Sequence, residues 1–471
     1  MLQKIRAEER AILAVITAVL LICIPYVFGG EVWDDRPLFE LLRGTSFLDL
    51  WIQPVGGGAV GQGYYRPFSM MVLKVLGDVT LIHVAAIVFH LGAVFGIYKI
   101  TEQNWAVAFL YGVHPLHSEM LGWASALPDV ICSVLVVWTI YALNQDRFWS
   151  ASLLFLIALF SKESAVLLLF CAIVLNKRSF VYLSFTLVLY GLMRIGATQS
   201  IGSANIFTFE VLQGLLWSYS SLVLPFPLTA VREVHVTPFW AVPVGMLVLI
   251  AAIWIARLRG AQERIGVILL MGGPLIAVPT IASSHMAAER YLCLSILGVS
   301  LLFGSLKIDF IRAWRLVLLM MIAVFPLHVS RGMAWQSSSA IFTSAVEVLP
   351  NSTYSWYLLG RACLEEQSYK EASKAFYKSL ELPNSYPDSD VYLLESLVLD
   401  GQFQEALNVV EKGPKQGLTA QKIAWWARAL AGVGEQKRAL ELFLMLRQEE
   451  GYDGPEWVEG WVKKLQNAEK N

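Results

Sequence analysis

Glu31-Val32-Trp33-Asp34-Asp35-Arg36-Pro37 follows directly on the apolar stretch 11–29, which opens Ala11-Ile12-Leu13-Ala14-Val15-Ile16-Thr17-Ala18-Val19-Leu20 and carries no charge. A stretch of that length and composition is enough to cross the hydrocarbon core of a bilayer, which takes about 20 residues in a helix. Lys4, Arg6 and Arg10 precede it, as in a signal peptide, but no small-residue cleavage motif follows, so it reads as a retained first span. Two adjacent carboxylates at its far end are costly near lipid, and acids are kept at such positions where they have work to do.

The rest of the chain extends this reading. Of 471 residues, 56% are hydrophobic and only 15% charged, against about 25% charged in an average soluble protein. Mean hydropathy is +0.56. The composition is that of a polytopic membrane protein, and a net charge of -1 gives no footing for nucleic acid. Apolar runs continue to about Leu327, and from Arg331 the chain is polar and helix-forming, so two domains are expected, 1–330 and 331–471. None of the five cysteines forms a CxxC pair, which argues against a disulfide framework or a zinc site.

Candidate spans are 11–29, 80–98, 104–117, 128–144, 148–161, 163–176, 179–197, 239–256, 265–282, 290–306 and 313–329, about eleven in all. The short ones suit a lining of protein rather than lipid. Basic loops set the orientation. With the N-terminus cytoplasmic, alternate crossings place Lys99, Arg147, Lys177-Arg178, Arg257 to Arg264 and Lys307 to Arg315 on the cytoplasmic side. Counting 211–224 as a span would reverse that series, so it reads as an interfacial or re-entrant helix. The opposite face then receives the Asp pair and the tail. The long first outer loop, 30–78, has amphipathic pieces in which Leu38, Leu41, Leu42, Leu48 and Trp51 would lie on the membrane surface. Gly56-Gly57-Gly58 and Gly61-Gln62-Gly63 in its middle suit a lid over a substrate.

The tail repeats. Trp356, Leu359, Gly360, Tyr369, Ala372 and Phe376 have tetratricopeptide spacing, and Phe403 and Ala406 follow Tyr369 and Ala372 by 34 residues. Trp425, Ala439 and Phe443 form a third unit. Phe342, Ala345 and Pro350 read as the second helix of a truncated first one, and 456–467 as a capping helix. The fold class is therefore all-α: a polytopic helical membrane domain followed by a tetratricopeptide-repeat α-solenoid, half a repeat plus about three. Such stacks present a concave surface for a peptide or partner.

Polar clusters gather at the ends of the spans that share a face with the Asp pair. Asp34 and Asp35 can supply a general base, since two neighbouring carboxylates raise each other's pKa, or simply cap a helix. Arg66, Lys162 and Arg290 each sit at the outer end of a span, where a cation binds phosphate or snorkels to headgroups. Glu163 beside Lys162, and Glu289 beside Arg290, offer local ion pairs. His114, His117 and Glu119 are close enough in sequence to hold a divalent metal, hydrogen-bond a phosphate or pair with the first loop. Arg194 and Arg232-Glu233 would extend the pocket, whereas His83 and His90 read as packed helix-interface residues.

Taken in order, Asp-Asp-x-Pro, Tyr64-Tyr65-Arg66-Pro67, His114-Pro115-Leu116-His117-Ser118-Glu119, Ser161-Lys162-Glu163, Ala288-Glu289-Arg290-Tyr291-Leu292 and the terminal repeats resemble the transmembrane and tetratricopeptide-repeat-containing O-mannosyltransferases, including their bacterial relatives, within the GT-C glycosyltransferases. The chain departs from that pattern at Glu119-Met120-Leu121-Gly122-Trp123 and Pro128-Asp129, and it has few repeats. The resemblance implies a polyprenyl-phosphate sugar donor, inverting transfer to an acceptor on the non-cytoplasmic face, and a protein or peptide acceptor docked by the repeats. It implies that Asp34 is the base and that Asp35 positions the acceptor or an ion. The membrane would be the inner or plasma membrane of a bacterium, or the endoplasmic reticulum of a eukaryote. Two other classes use similar residues: a lipid-linked-sugar transporter or flippase, and a catalytically silent scaffold. A transporter would show inverted repeats and helices broken at the midplane, whereas here the polar groups crowd one face.

Overall fold

An apolar segment in lipid can satisfy its backbone only as a helix or a closed barrel, and this chain takes the first course. The computed structural model describes residues 2–55, 64–195, 206, 208–258, 260–304, 310–383, 386–412, 419–448 and 457–470. The two glycine clusters of the first loop and Lys307 lie outside the described residues. Within them, regular structure is helical apart from an antiparallel pair, Arg232–Glu233 with Met286–Ala287, and a single bridge between Val55 and Tyr64.

Among the described residues, five helices are long and apolar enough to cross a membrane: Glu8–Phe28, Val79–Ile100, Ala124–Asn144, Ala261–Ser284 and Val317–Ala334. The described parts of the other expected spans are largely helical too, several of them short, such as Trp105–Gly112 and Leu167–Leu175. Local chemistry sets their ends. Asp78 caps Val79–Ile100 by accepting from Leu81 N at 3.0 Å, and Asn104 caps Trp105–Gly112 from Val107 N. Phe209–Ser221, the segment read as interfacial, has 13 residues. At about 1.5 Å per residue that is near 20 Å, short of a core about 30 Å thick.

The chain packs as two compact units, Met1–Ile341 and Phe342–Asn471. In the first, Ala124–Asn144 is the most enclosed of the five long helices. Small residues let its neighbours close up. A β-carbon on Gly96 would stand 2.4 Å from Val137, and one on Gly298 would stand 2.4 Å from the carbonyl oxygen of Gly266, where Cys293–Phe303 crosses Ala261–Ile276. The first unit runs past residue 330: helix Phe310–Ala334 continues through the expected boundary, Gly30 N donates to Trp335 O at 3.1 Å, and Trp33 N donates to Ser338 Oγ at 2.9 Å.

The first loop differs from its expected surface-lying form. Leu38 and Leu42 of helix Asp35–Gly44 are buried in protein, and the Trp51 ring meets Phe160 edge-on at 5.2 Å. Only Leu41 and Leu48 remain exposed among the five apolar residues of that reading. Part of the amphipathic pattern's apolar side therefore packs on protein, at Leu38, Leu42 and Trp51.

The second unit is a series of helical pairs: Thr353–Glu365 with Tyr369–Glu381, Ser389–Leu399 with Phe403–Lys412, and Ala420–Gly432 with Gln436–Gln448, then Trp457–Lys470. The positions picked out by periodicity are where these helices meet. Ala372, Ala406, Ala439, Phe376 and Phe443 are fully buried, and the ring of Phe376 lies where a β-carbon on Gly360 would be.

Candidate functional site

Helix Asp35–Gly44 begins immediately after Asp34, and the two acids point into different surroundings. Asp35 is fully buried; its carboxylate accepts from Val32 N at 3.0 Å, from Ser125 N at 2.8 Å and from the Ser125 hydroxyl. Burial pushes its carboxyl up to about 7 against those hydrogen bonds, and the charge of Asp34 is a lesser contributor. Asp34 makes no side-chain cap; its Oδ1 is buried without a hydrogen-bond partner and its side chain lines a cavity. Burial raises its carboxyl above the ordinary range, with Arg290 pulling the other way. The pKa shift expected from mutual repulsion of the two acids thus comes mainly from desolvation.

The cavity has a volume of about 170 Å³, comparable with the ~150 Å³ engineered cavity that accepts one six-membered ring. Asp34, Arg66, Asp129, Lys162, Glu163 and Arg290 supply its charged lining, with Trp123, Ser125, Tyr64 and Tyr291 beside them. All three cations of the sequence reading are therefore brought to one place. Each is held by a carboxylate from a distant segment. Arg66 grips Glu163 through two parallel bonds of 3.0 and 2.9 Å, Lys162 pairs with Asp129, and Arg290 pairs with Glu119 through both its side chain and its backbone N, the latter at 3.1 Å. The guanidinium of Arg290 also lies 4.6 Å from the Trp123 ring centroid and 4.9 Å from that of Tyr291.

The local ion pairs expected from sequence neighbours are not those that form. Glu163 takes Arg66 rather than Lys162, and Glu289 takes Arg232 at 3.1 Å rather than Arg290. Successive residues in the short turns Glu163–Val166 and Glu289–Leu292 face different sides, so each neighbour finds its own partner. Glu289 lies off the cavity, fully buried, accepting also from Thr229 N at 2.9 Å and Ser118 Oγ at 3.2 Å, with Arg331 at 3.8 Å.

His114, His117 and Glu119 do not converge. His114 Nε2 meets Leu222 O at 3.3 Å. The buried ring of His117 lies between His90 and Tyr111, with centroids at 4.6 and 4.7 Å, and Glu119 turns to Arg290. Pro115 starts a short 3-10 turn there, so the cluster does not continue as a regular helix, in which only His114 and His117 of the three would share a face. Among the described residues no group of three or more His, Cys, Asp or Glu is placed to hold a metal ion. Arg194 is not a cavity residue; it donates to Tyr190 Oη at 2.6 Å. His83 and His90 bond backbone carbonyls of Leu121 and Gly112 at 3.0 and 2.9 Å, as interface residues do.

Sequence reasoning passed over Asp129, Trp123, Ser125 and Tyr291. Asp129 had a usable signal, an acid in the first turn of an apolar span, which is the argument already applied to Asp34. Tyr291 and Trp123 fall within quoted motifs but carry no pattern of their own that marks a site, and Ser125 has no signal.

No protein-family model matches the chain. A curated protein of Caenorhabditis elegans, named as a protein O-mannosyl-transferase, is 21% identical, the match covering 81% of this chain and 64% of that protein. The chain thus spans less than two thirds of the relative's length.

Proposed function

We propose that this chain is an integral-membrane glycosyltransferase that moves a mannose-like sugar from a polyprenyl-phosphate donor to an acceptor hydroxyl on the non-cytoplasmic face, with inversion. One observation carries the reading: Asp34, whose buried Oδ1 has no hydrogen-bond partner, shares a ring-sized cavity with Arg66, Lys162 and Arg290. The name of the C. elegans relative supports the glycosyl-transfer chemistry, and the five long apolar helices fit a membrane enzyme.

In this mechanism Asp34 takes the proton of the acceptor hydroxyl as that oxygen attacks the anomeric carbon. The bond from that carbon to the phosphate oxygen breaks on the opposite face, and the electron pair leaves with the phosphate. Arg66, Lys162 and Arg290 stabilise the charge that develops. Their carboxylate partners aim them without exhausting them, since a guanidinium has five N–H donors and an ammonium three. Asp35, held by three donors, anchors the turn that presents Asp34. No step requires a metal ligand set.

The acceptor on this reading is a Ser or Thr hydroxyl of a protein, docked by the helical pairs of the second unit acting as tetratricopeptide repeats. The test is incubation of purified protein with a panel of polyprenyl-phosphate sugars and peptide acceptors. Protein-dependent consumption of one donor, with product of inverted anomeric configuration, is the expected result. No consumption of any donor in the panel would defeat the proposal.

A further inference from the structure

Trp33, immediately before Asp34, has φ +58°, a left-handed conformation that a bulky residue rarely holds. Such outliers persist where surrounding structure over-determines them, and they gather at functional sites. Conformation alone would select Gly or Asn at this position; something about the indole ring keeps Trp there. The ring lies on Trp123, with centroids 5.2 Å apart and planes 16° apart. Trp123 lines the cavity and carries the Arg290 guanidinium over its own ring, and Trp335 is stacked 6.5 Å from it. On the other flank of Asp34, Asp35 is tied to Ser125, two residues beyond Trp123. Asp34 is therefore clamped from both sides, and one clamp leads through a single ring to the phosphate-site cation.

We propose that Trp33 is a positioning residue: its ring, stacked on Trp123, sets the reach of the Asp34 carboxylate relative to Arg290, so that acceptor base and donor cation are held at one spacing. This rests on the glycosyl-transfer reading of the cavity. A helix-capping turn without the stack would let the Asp34 side chain swing toward solvent, and a misplacement of about 1 Å at a reacting group costs on the order of 10²-fold in rate. The bond from Trp33 to Ser338 Oγ is donated by the main-chain N, not by the ring, so the ring's part can be tested apart from it.

Trp33→Gly and Trp33→Asn remove the ring while suiting the left-handed backbone, and Trp33→Phe keeps an aromatic face. Three quantities are measured in the full-length protein: kcat, donor KM, and the titration of the Asp34 carboxyl by difference infrared spectroscopy against Asp34→Asn. Gly and Asn should lower kcat by at least about tenfold, toward the ~10²-fold of a misplaced group, with donor KM little changed. The Asp34 titration should move down toward the ordinary carboxylate range as water reaches it. Phe should keep most of the rate and the wild-type titration. An unchanged kcat and unchanged Asp34 titration in both Gly and Asn overturn the proposal, as does a Phe variant impaired as deeply as Gly. Should the wild-type protein transfer no sugar, the functional reading falls, while the infrared titration still decides whether Trp33 positions Asp34.

Discussion

Replacing Asp34 and Asp35 one at a time by Asn should separate catalysis from folding, because the two carboxylates are held so differently. Asp34→Asn is isosteric, and the Oδ1 it replaces or retains makes no hydrogen bond. The change breaks no bond at that atom and should leave unfolding close to wild type. Loss of a general base costs about 10²–10⁴ in rate, which is about 2.7–5.4 kcal/mol on the barrier at ~1.36 kcal/mol per tenfold. Asp35→Asn is the opposite case. One carboxylate oxygen accepts from Val32 N and the other from Ser125 N and Oγ, all at a fully buried site. An Asn side chain has one acceptor oxygen, so its amide group must face a buried donor, with a cost of about 1–3 kcal/mol for each group left unpaired. The assay pairs thermal unfolding in lipid nanodiscs with single-donor turnover. The expected pattern is normal unfolding with lost turnover for Asp34→Asn, and early unfolding with turnover lost in proportion for Asp35→Asn. Near-normal turnover in Asp34→Asn would refute the assignment of the base, and equal unfolding in the two variants would refute the reading of their surroundings.

Further outcomes follow from the same geometry. Because burial raises the Asp34 carboxyl, and the base must be charged to act, turnover should fall as pH drops through an acidic limb lying above the ordinary carboxylate value of about 3.9; a limb at or below that value contradicts the burial argument. Arg290→Ala should weaken donor binding more than acceptor binding. Arg290→Lys should not restore it, since Arg290 uses its planar group on Glu119 and over Trp123; donor titration of the purified variants checks both. If the chain crosses the membrane eleven times, as its hydropathy and basic loops predict, a reporter fused after Asn471 should register on the non-cytoplasmic side, and cytoplasmic activity would mean that 211–224 crosses or that another span is misplaced. Removal of the chain after Ile341, which keeps Trp335 and Ser338 on the first unit, should spare small-molecule acceptors and hurt protein acceptors, since docking energy from remote contacts is what the repeats would supply; equal loss on both would make the second unit a structural support.

Hydropathy, periodicity and charge are properties of single stretches, and whatever depends on them alone was open to reading from the chain. The helical class, the apolar helices and the helical pairs of the tail are of this kind. The expectation that Arg66, Lys162 and Arg290 share a face drew the same three residues together that line one cavity. Partnership is a property of pairs, and only the tertiary structure decided it. Arg66 meets Glu163 from 97 residues away and Arg290 meets Glu119 from 171 away, although each cation or acid had a nearer candidate in sequence. The same limit applies to His114, His117 and Glu119: their short spacing allows a shared ligand, but the three side chains meet Leu222 O, the rings of His90 and Tyr111, and Arg290 respectively. The spacing of Leu38, Leu42 and Trp51 makes an apolar face, but whether such a face meets lipid or protein depends on what the rest of the chain brings beside it. Backbone propensity says how a segment coils, and side-chain chemistry says what it can bind. Which groups actually lose their water together is settled only when distant segments pack.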